Sequence, residues 1–284
     1  MATGRRNLRR LIGSVFLIGI VAVVIGAWFF FFRDTSAESV DSVEVAEARQ
    51  AAIAEATESG SEIAAVEGSA SQSEAADPTG DQADAAAAVG GGPSDGLWTI
   101  DTSIGTFGQD CLENACGAGF VGFRIQEELA SIGAKTVVGR TPAVSGSLEI
   151  VGTQIVAVDV TADMTQLITD DERRNGAIRG PSGGLETDAF PEASFVLVEP
   201  IELNELPAEG VSIQVEAVGD LTVRGVTNRV TVPLTAEQQA GLIIVFGTLE
   251  NLALADFEIP TPTALVVVSV DDVAAMELQL FFSR

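Results

Sequence analysis

Hydrophobic and polar residues alternate through much of the second half of the chain, most regularly from Val211 to Val223. Val211, Ile213, Val215, Ala217, Gly219, Leu221 and Val223 share one parity. Ser212, Gln214, Glu216, Asp220 and Thr222 take the other, with Val218 the one exception. A period of two sends successive side chains to opposite faces, so the stretch reads as a half-buried β-strand. At about 3.3 Å per residue it spans roughly 43 Å. Strands of that length bend and twist, as they do around a barrel wall. Arg224-Gly225 supplies a turn, and Val230, Val232 and Leu234 resume the alternation, so the whole is a long hairpin.

Shorter runs of the same texture predict strands at Leu97–Thr102, Gly119–Glu127, Gly146–Val151, Gln154–Ala162, Ala193–Ile201, Leu242–Leu249, Ala264–Val270 and Ala274–Phe282. One short helix is predicted over Thr169–Ile178. With some eight to ten strands joined by short turns, residues 97–284 read as all-β, an antiparallel barrel or sandwich.

The pattern upstream is different. Leu11 to Phe32 is a 22-residue run without charge, preceded by Arg5, Arg6, Arg9 and Arg10 and closed by Arg33. A hydrocarbon core about 30 Å thick needs roughly 20 such residues. The basic flank, 1–10, places the N-terminus in the cytoplasm. A cleaved signal peptide is the alternative; its apolar region would be only about 7–15 residues, and no good cleavage site succeeds the phenylalanine run. The reading is therefore a single-pass anchor in a bacterial cell membrane, with the next domain extracytoplasmic. Residues 33–96 are rich in Ala, Glu, Ser and Gly and poor in core formers, which predicts a disordered linker. Within it, Ser36 to Ala56 is Ala/Glu-rich enough to be helical. As a flexible coil the linker would hold the domain about 45 Å from the membrane.

Charge and chemistry narrow the functions. The chain has 15 basic and 41 acidic residues and no histidine. Nucleic acid is disfavoured as a partner, because phosphates need a Lys/Arg surface. Without histidine, Ser-His-Asp and Cys-His catalysis and most zinc sites are removed. Gly117–Gly122 matches G-x-G-x-x-G, but Phe123–Glu127 directly after it alternates like a strand and opens no helix for a pyrophosphate. Gly180–Gly184 matches G-x-S-x-G, but the nucleophile lacks a base. No catalytic residue, metal ligand or cofactor is assigned, and the chain reads as a non-enzyme. Cys111 and Cys116, in an oxidising compartment on this topology, predict a disulfide; a thiolate metal site lacks a third ligand. Asp163, Asp170, Asp171 and Glu172 fit no EF-hand spacing and read as a solvated face. Near them Arg173, Arg174 and Arg179 cluster and could clamp a phosphate headgroup, Arg174 and Arg179 being the favoured candidates and pairing with those acids the alternative. Phe120, Phe123, Phe195, Leu197, Ile213 and Val215 are candidates to line a cavity. The alternative is an ordinary filled core, since an eight-stranded barrel is either filled or holds one ligand.

Several ordered motifs carry a resemblance. Trp98-Thr99-Ile100-Asp101 opens the domain. Ile168, Thr169 and Arg174–Arg179 come next, then Phe190-Pro191 with Phe195. Gly219-Asp220-Leu221-Thr222 with Gly225-Val226-Thr227 and, last, Asp256-Phe257-Glu258-Ile259 complete the order. Together they resemble the YceI-like family of bacterial lipid-binding proteins over about Leu97 to Arg284. The resemblance implies a lipocalin-like antiparallel β-barrel whose lumen holds a polyisoprenoid, such as an isoprenoid quinone or prenyl phosphate. The chain departs from the family pattern where histidines are usual: Thr102 and Ala177 stand there, and Asn175 replaces an aspartate. The residues around Glu127–Val144 read as an insertion. The competing reading is a structural or interaction ectodomain with a filled core.

Overall fold

The computed structural model describes residues 36–67, 94–130, 133–181, 184–262 and 267–284, and of residues 60–67 the backbone alone. The predicted membrane segment 11–32, the basic tail and residues 68–93 of the linker lie outside the described residues. Among the described residues no helix is long and apolar enough to cross a membrane.

In chain order the elements are helix α1 (Val43–Glu67), strands β1 (Gly96–Ile100), β2 (Phe120–Leu129), β3 (Gly133–Thr141), β4 (Val144–Val151), β5 (Gln154–Asp163) and β6 (Ile168–Thr169), helix α2 (Glu172–Arg179), then β7 (Glu192–Leu197), β8 (Ile201–Glu202), β9 (Ser212–Val223), β10 (Val226–Gln239), β11 (Leu242–Ala253), β12 (Val267–Val270) and β13 (Val273–Ser283). Neighbours run β1-β4-β5-β7-β9-β10-β11-β13, and β13 pairs back onto β1 through Thr99↔Ser283 and Ile100↔Phe282. Eight antiparallel strands thus close into a barrel, which removes the exposed edges of an open sheet. The β9–β10 hairpin is the longest ladder, in register from Val226↔Val223 to Glu237↔Ser212. Its turn, Arg224-Gly225, has φ of 51° and 73°, the positive-φ pair that matches the twist of a two-residue hairpin.

β1 takes only the last residues of β13. Farther along, the same edge of β13 pairs with β2 from Gln279↔Phe120 to Ala275↔Arg124, and β2 carries β3 and β6 beside it. The barrel is therefore narrow at the β1 end and wider where β2 and β3 join the wall. Trp98 packs with Leu148, Ile150, Ile243, Leu280 and Phe282 and fills the narrow end.

Two sequence expectations change here. The first part of the linker is ordered: Ala37, Val40, Val45, Arg49, Ala52 and Ile53 are buried against the outside of β2, β3, β11 and β13. From Val45 to Ile53 the spacing is helical, one stripe of an otherwise polar helix. The stretch read as an insertion contains β3. Its outer face is covered by this N-terminal strap and its inner face lines the barrel, so the run lacks the alternation of a half-buried strand.

Candidate binding cavity

The barrel encloses a cavity of about 640 Å³, within the size range of small-molecule sites. Its wall is almost wholly apolar. Val215, Ala217, Leu221 and Val223 of β9 line it, as do Val232, Leu234 and Ala236 of β10. Across from them are Val158 and Val160 of β5 and Met276, Leu278 and Leu280 of β13. On β9 and β10 one parity makes the lumen, as the alternation requires.

Two aromatic rings reach into this space over glycines. A Cβ on Gly219 would lie 2.2 Å from Cζ of Phe195, and one on Gly139 would lie 2.4 Å from Cε1 of Phe123. Each ring lies flat across a neighbouring strand only because that strand has no side chain there. Gly219 begins the Gly-Asp-Leu-Thr motif, and the rest of the motif steadies the same hairpin. Arg229 Nε donates to Asp220 at 2.7 Å, and the hydroxyls of Thr222 and Thr227 are 2.8 Å apart.

The cavity reaches the surface beside α2, whose exposed Arg173 and N-terminal neighbour Asp171 are part of the lining. Asp171 caps the helix, accepting from the backbone N–H groups of Arg173 at 2.8 Å and Arg174 at 3.3 Å. Those bonds, the Arg173 one foremost, hold its carboxyl below the usual aspartate range. Asn175 ties α2 to the wall: its carbonyl oxygen accepts from the Thr169 N–H at 2.7 Å and hydroxyl at 2.8 Å. Ala177, at one of the usual histidine positions, lines the lumen. The other, Thr102, lies away from it on an exposed turn.

Of the predicted lining residues, Phe123, Phe195 and Val215 face the cavity together. Phe120, Leu197 and Ile213 are not among its lining. Phe120 packs on the outer side with Val40, Cys111 and Cys116, under the Arg140 guanidinium 4.2 Å from its ring centroid. Phe120 and Phe123 have opposite parity, so one strand cannot turn both inward. Leu197 closes the short strand β7, and Ile213 lies near the start of β9, on the lumen's parity but short of the cavity.

Of the predicted headgroup pair, Arg174 lies at the mouth, but it is engaged. Its Nη2 is 2.6 Å from Glu127 and its Nη1 2.6 Å from Asp170, which also pairs with Lys135. Arg179 is exposed and outside the lining. Arg173, the third arginine of the expected cluster, lines the cavity beside Arg174, whereas sequence reasoning missed Glu127 and Met164. Glu127 shares the parity of Phe123 and Ile125, so the face rule applied to β2 finds it. Cys111 and Cys116 form the expected disulfide. Among the described residues no group of three or more His, Cys, Asp or Glu side chains is placed to hold a metal ion.

A closed eight-stranded barrel with an apolar lumen and a helix at its mouth has the architecture of a calyx. The chain belongs to the YceI-like family: residues 98–282 match the YceI-like domain. Similar solved structures include Burkholderia cenocepacia BcnA, 19% identical, covering 57% of this chain and 95% of that one, with a TM-score of 0.42. A polyisoprenoid binding domain from Saccharophagus degradans, implicated in plant cell wall breakdown, is 15% identical over 67% of this chain and 99% of that one, TM-score 0.47. A Campylobacter jejuni YceI protein is 15% identical over 49% and 83%, TM-score 0.37. No curated protein matches the chain.

Proposed function

We propose that this protein binds a long-chain isoprenoid lipid, such as an isoprenoid quinone or prenyl phosphate, in the barrel lumen, and that residues 11–32 anchor it in a bacterial cell membrane with the barrel outside the cytoplasm. The observation that carries the binding reading is the apolar cavity of about 640 Å³ along the barrel interior. Burial of the ligand chain supplies the driving force, at about 0.8 kcal/mol per CH₂. The disulfide suits an oxidising compartment. No cofactor beyond the lipid is invoked, and the role is binding and not catalysis.

The test is native mass spectrometry of the full chain in detergent, purified without added lipid and then subjected to organic extraction. A discrete adduct identified as a prenyl species is the expected result. An apo mass that takes up neither quinones nor prenyl phosphates would overturn the reading in favour of an ectodomain whose partner is a protein or wall component.

A further inference from the structure

The N-terminal strap has a direction, and the direction orients the barrel. At its start, the Ala37 carbonyl accepts from Arg124 Nη1 at 2.7 Å, and Ala37 packs with Leu112, Val138 and Ile168. Next, the Glu38 carbonyl accepts from Arg140 at 2.9 Å and Val40 packs on Phe120. Farther on, Arg49 donates to Gln279 at 2.8 Å and lies 3.7 Å over the Phe246 ring. Gln50 then meets Gln239, and Ile53 packs with Leu242 and Phe281, next to the Ala240-Gly241 turn. The strap therefore runs from the mouth half of the wall to the closed end. Arg124 is three residues before Glu127, the partner of Arg174, so Ala37 lies about 10 Å along β2 from the mouth.

Upstream of Ala37 only Arg33, Asp34, Thr35 and Ser36 separate the docked chain from the apolar run that ends at Phe32. Five Cα steps reach at most about 18 Å. Residues 68–93 join the end of α1 to the segment before β1, so they close a loop and add nothing to the tether. The tether is at most four residues long and leaves from the mouth half.

We propose that the rim formed by α2, the β12–β13 turn and the end of β2 lies against the bilayer that holds residues 11–32, so that the lumen opens onto the lipid surface. The proposal rests on the membrane-anchored reading above and not on the identity of the ligand. The rim presents apolar surface: Val268 is 62% exposed and Val273 37% exposed, both flanking the β12–β13 turn. Its charges are mixed. Arg173 and Arg179 are exposed on it, as are Asp171, Glu172, Asp271, Asp272 and Glu128. On a chain of net charge −26, electrostatics does not draw this rim to an anionic bilayer. The short tether does, by keeping the local concentration of membrane high. A prenyl chain then passes between bilayer and lumen without exposing its length to water.

The experiment uses the full chain, disulfide intact, with one added cysteine for a fluorophore: Asp271→Cys on the rim or Ala240→Cys at the closed end. Each is reconstituted in phosphatidylcholine/phosphatidylglycerol vesicles carrying a headgroup quencher. We expect quenching several-fold stronger at 271 than at 240, unchanged by salt. A long Gly/Ser insertion after Thr35 is expected to remove the difference. Equal quenching, stronger quenching at 240, or a chain that fails to float with the vesicles would overturn the proposal. None of these outcomes bears on the lipid adduct expected in mass spectrometry. Loss of that adduct with the quenching contrast intact would instead overturn lipid binding alone.

Discussion

At the scale of single residues, the outer wall depends on one buried ion pair. Arg140 and Glu277 are both fully buried, Arg140 Nη2 lying 2.7 Å from Glu277 Oε1. The same guanidinium donates to the Cys111 and Glu38 carbonyls, so it joins the disulfide loop, the strap and β13. Burial pulls its pKa down, and the Glu277 carboxylate opposes that pull. Arg140→Ala strands a buried carboxylate, and we expect a loss of about 3–5 kcal/mol in chemical denaturation. Arg140→Lys should recover little, because an ammonium cannot make the same fork of bonds. On the inner side the analogous test is Gly219→Ala. The added methyl collides with Phe195, and overpacking of this kind costs about 1–3 kcal/mol. Pairing it with Phe195→Leu should restore part of the loss, because the Val196 carbonyl oxygen, 2.7 Å from the added Cβ, still has to shift. If the double variant is no better than the single, the close approach of the Val196 carbonyl, and not the ring, sets the need for glycine.

At the scale of elements, α2 is held by its cap. Asp171→Ala removes both N-terminal hydrogen bonds, and we expect a cost near 1 kcal/mol, read as faster amide exchange in α2 with the β9–β10 ladder unchanged. The pH dependence comes from the sign of the shift. The folded pKa of Asp171 lies below its unfolded value. The cap is therefore at full strength above the ordinary aspartate range and is lost as pH falls through the depressed value. Acid should open α2 before it unfolds the barrel. Most elements could be read from alternation alone, because a barrel wall with a solvated outside has period two; β9 and β10 keep that pattern through most of their length. β3 and the strap could not. Val138 and Arg140 point outward yet are buried, because the strap lies over that side of β3. A segment that needs a partner distant in sequence shows neither strand nor core in its own composition.

At the scale of the whole molecule, the cavity arises from the same alternation, but its emptiness does not. Periodicity tells which residues face inward, and only three-dimensional closure tells whether they meet. Val215 and Phe195 meet around a void, while Trp98 and Phe282 fill the other end. The mouth is harder still to read, because Arg174 finds its partners on β2 and ahead of α2, and pairing hides it as a headgroup ligand. The global charge leads to the last prediction. With 41 acidic against 15 basic residues, carboxylates far outnumber the cations available to pair with them. Exposed pairs such as Arg229–Asp220 contribute little. The Arg140–Glu277 pair, being buried, is scarcely screened. Added monovalent salt should therefore relieve repulsion more than it weakens attraction, and the thermal midpoint should rise. A midpoint that falls with salt would mean that the surface pairs, and not the repulsion, dominate the electrostatics of the fold.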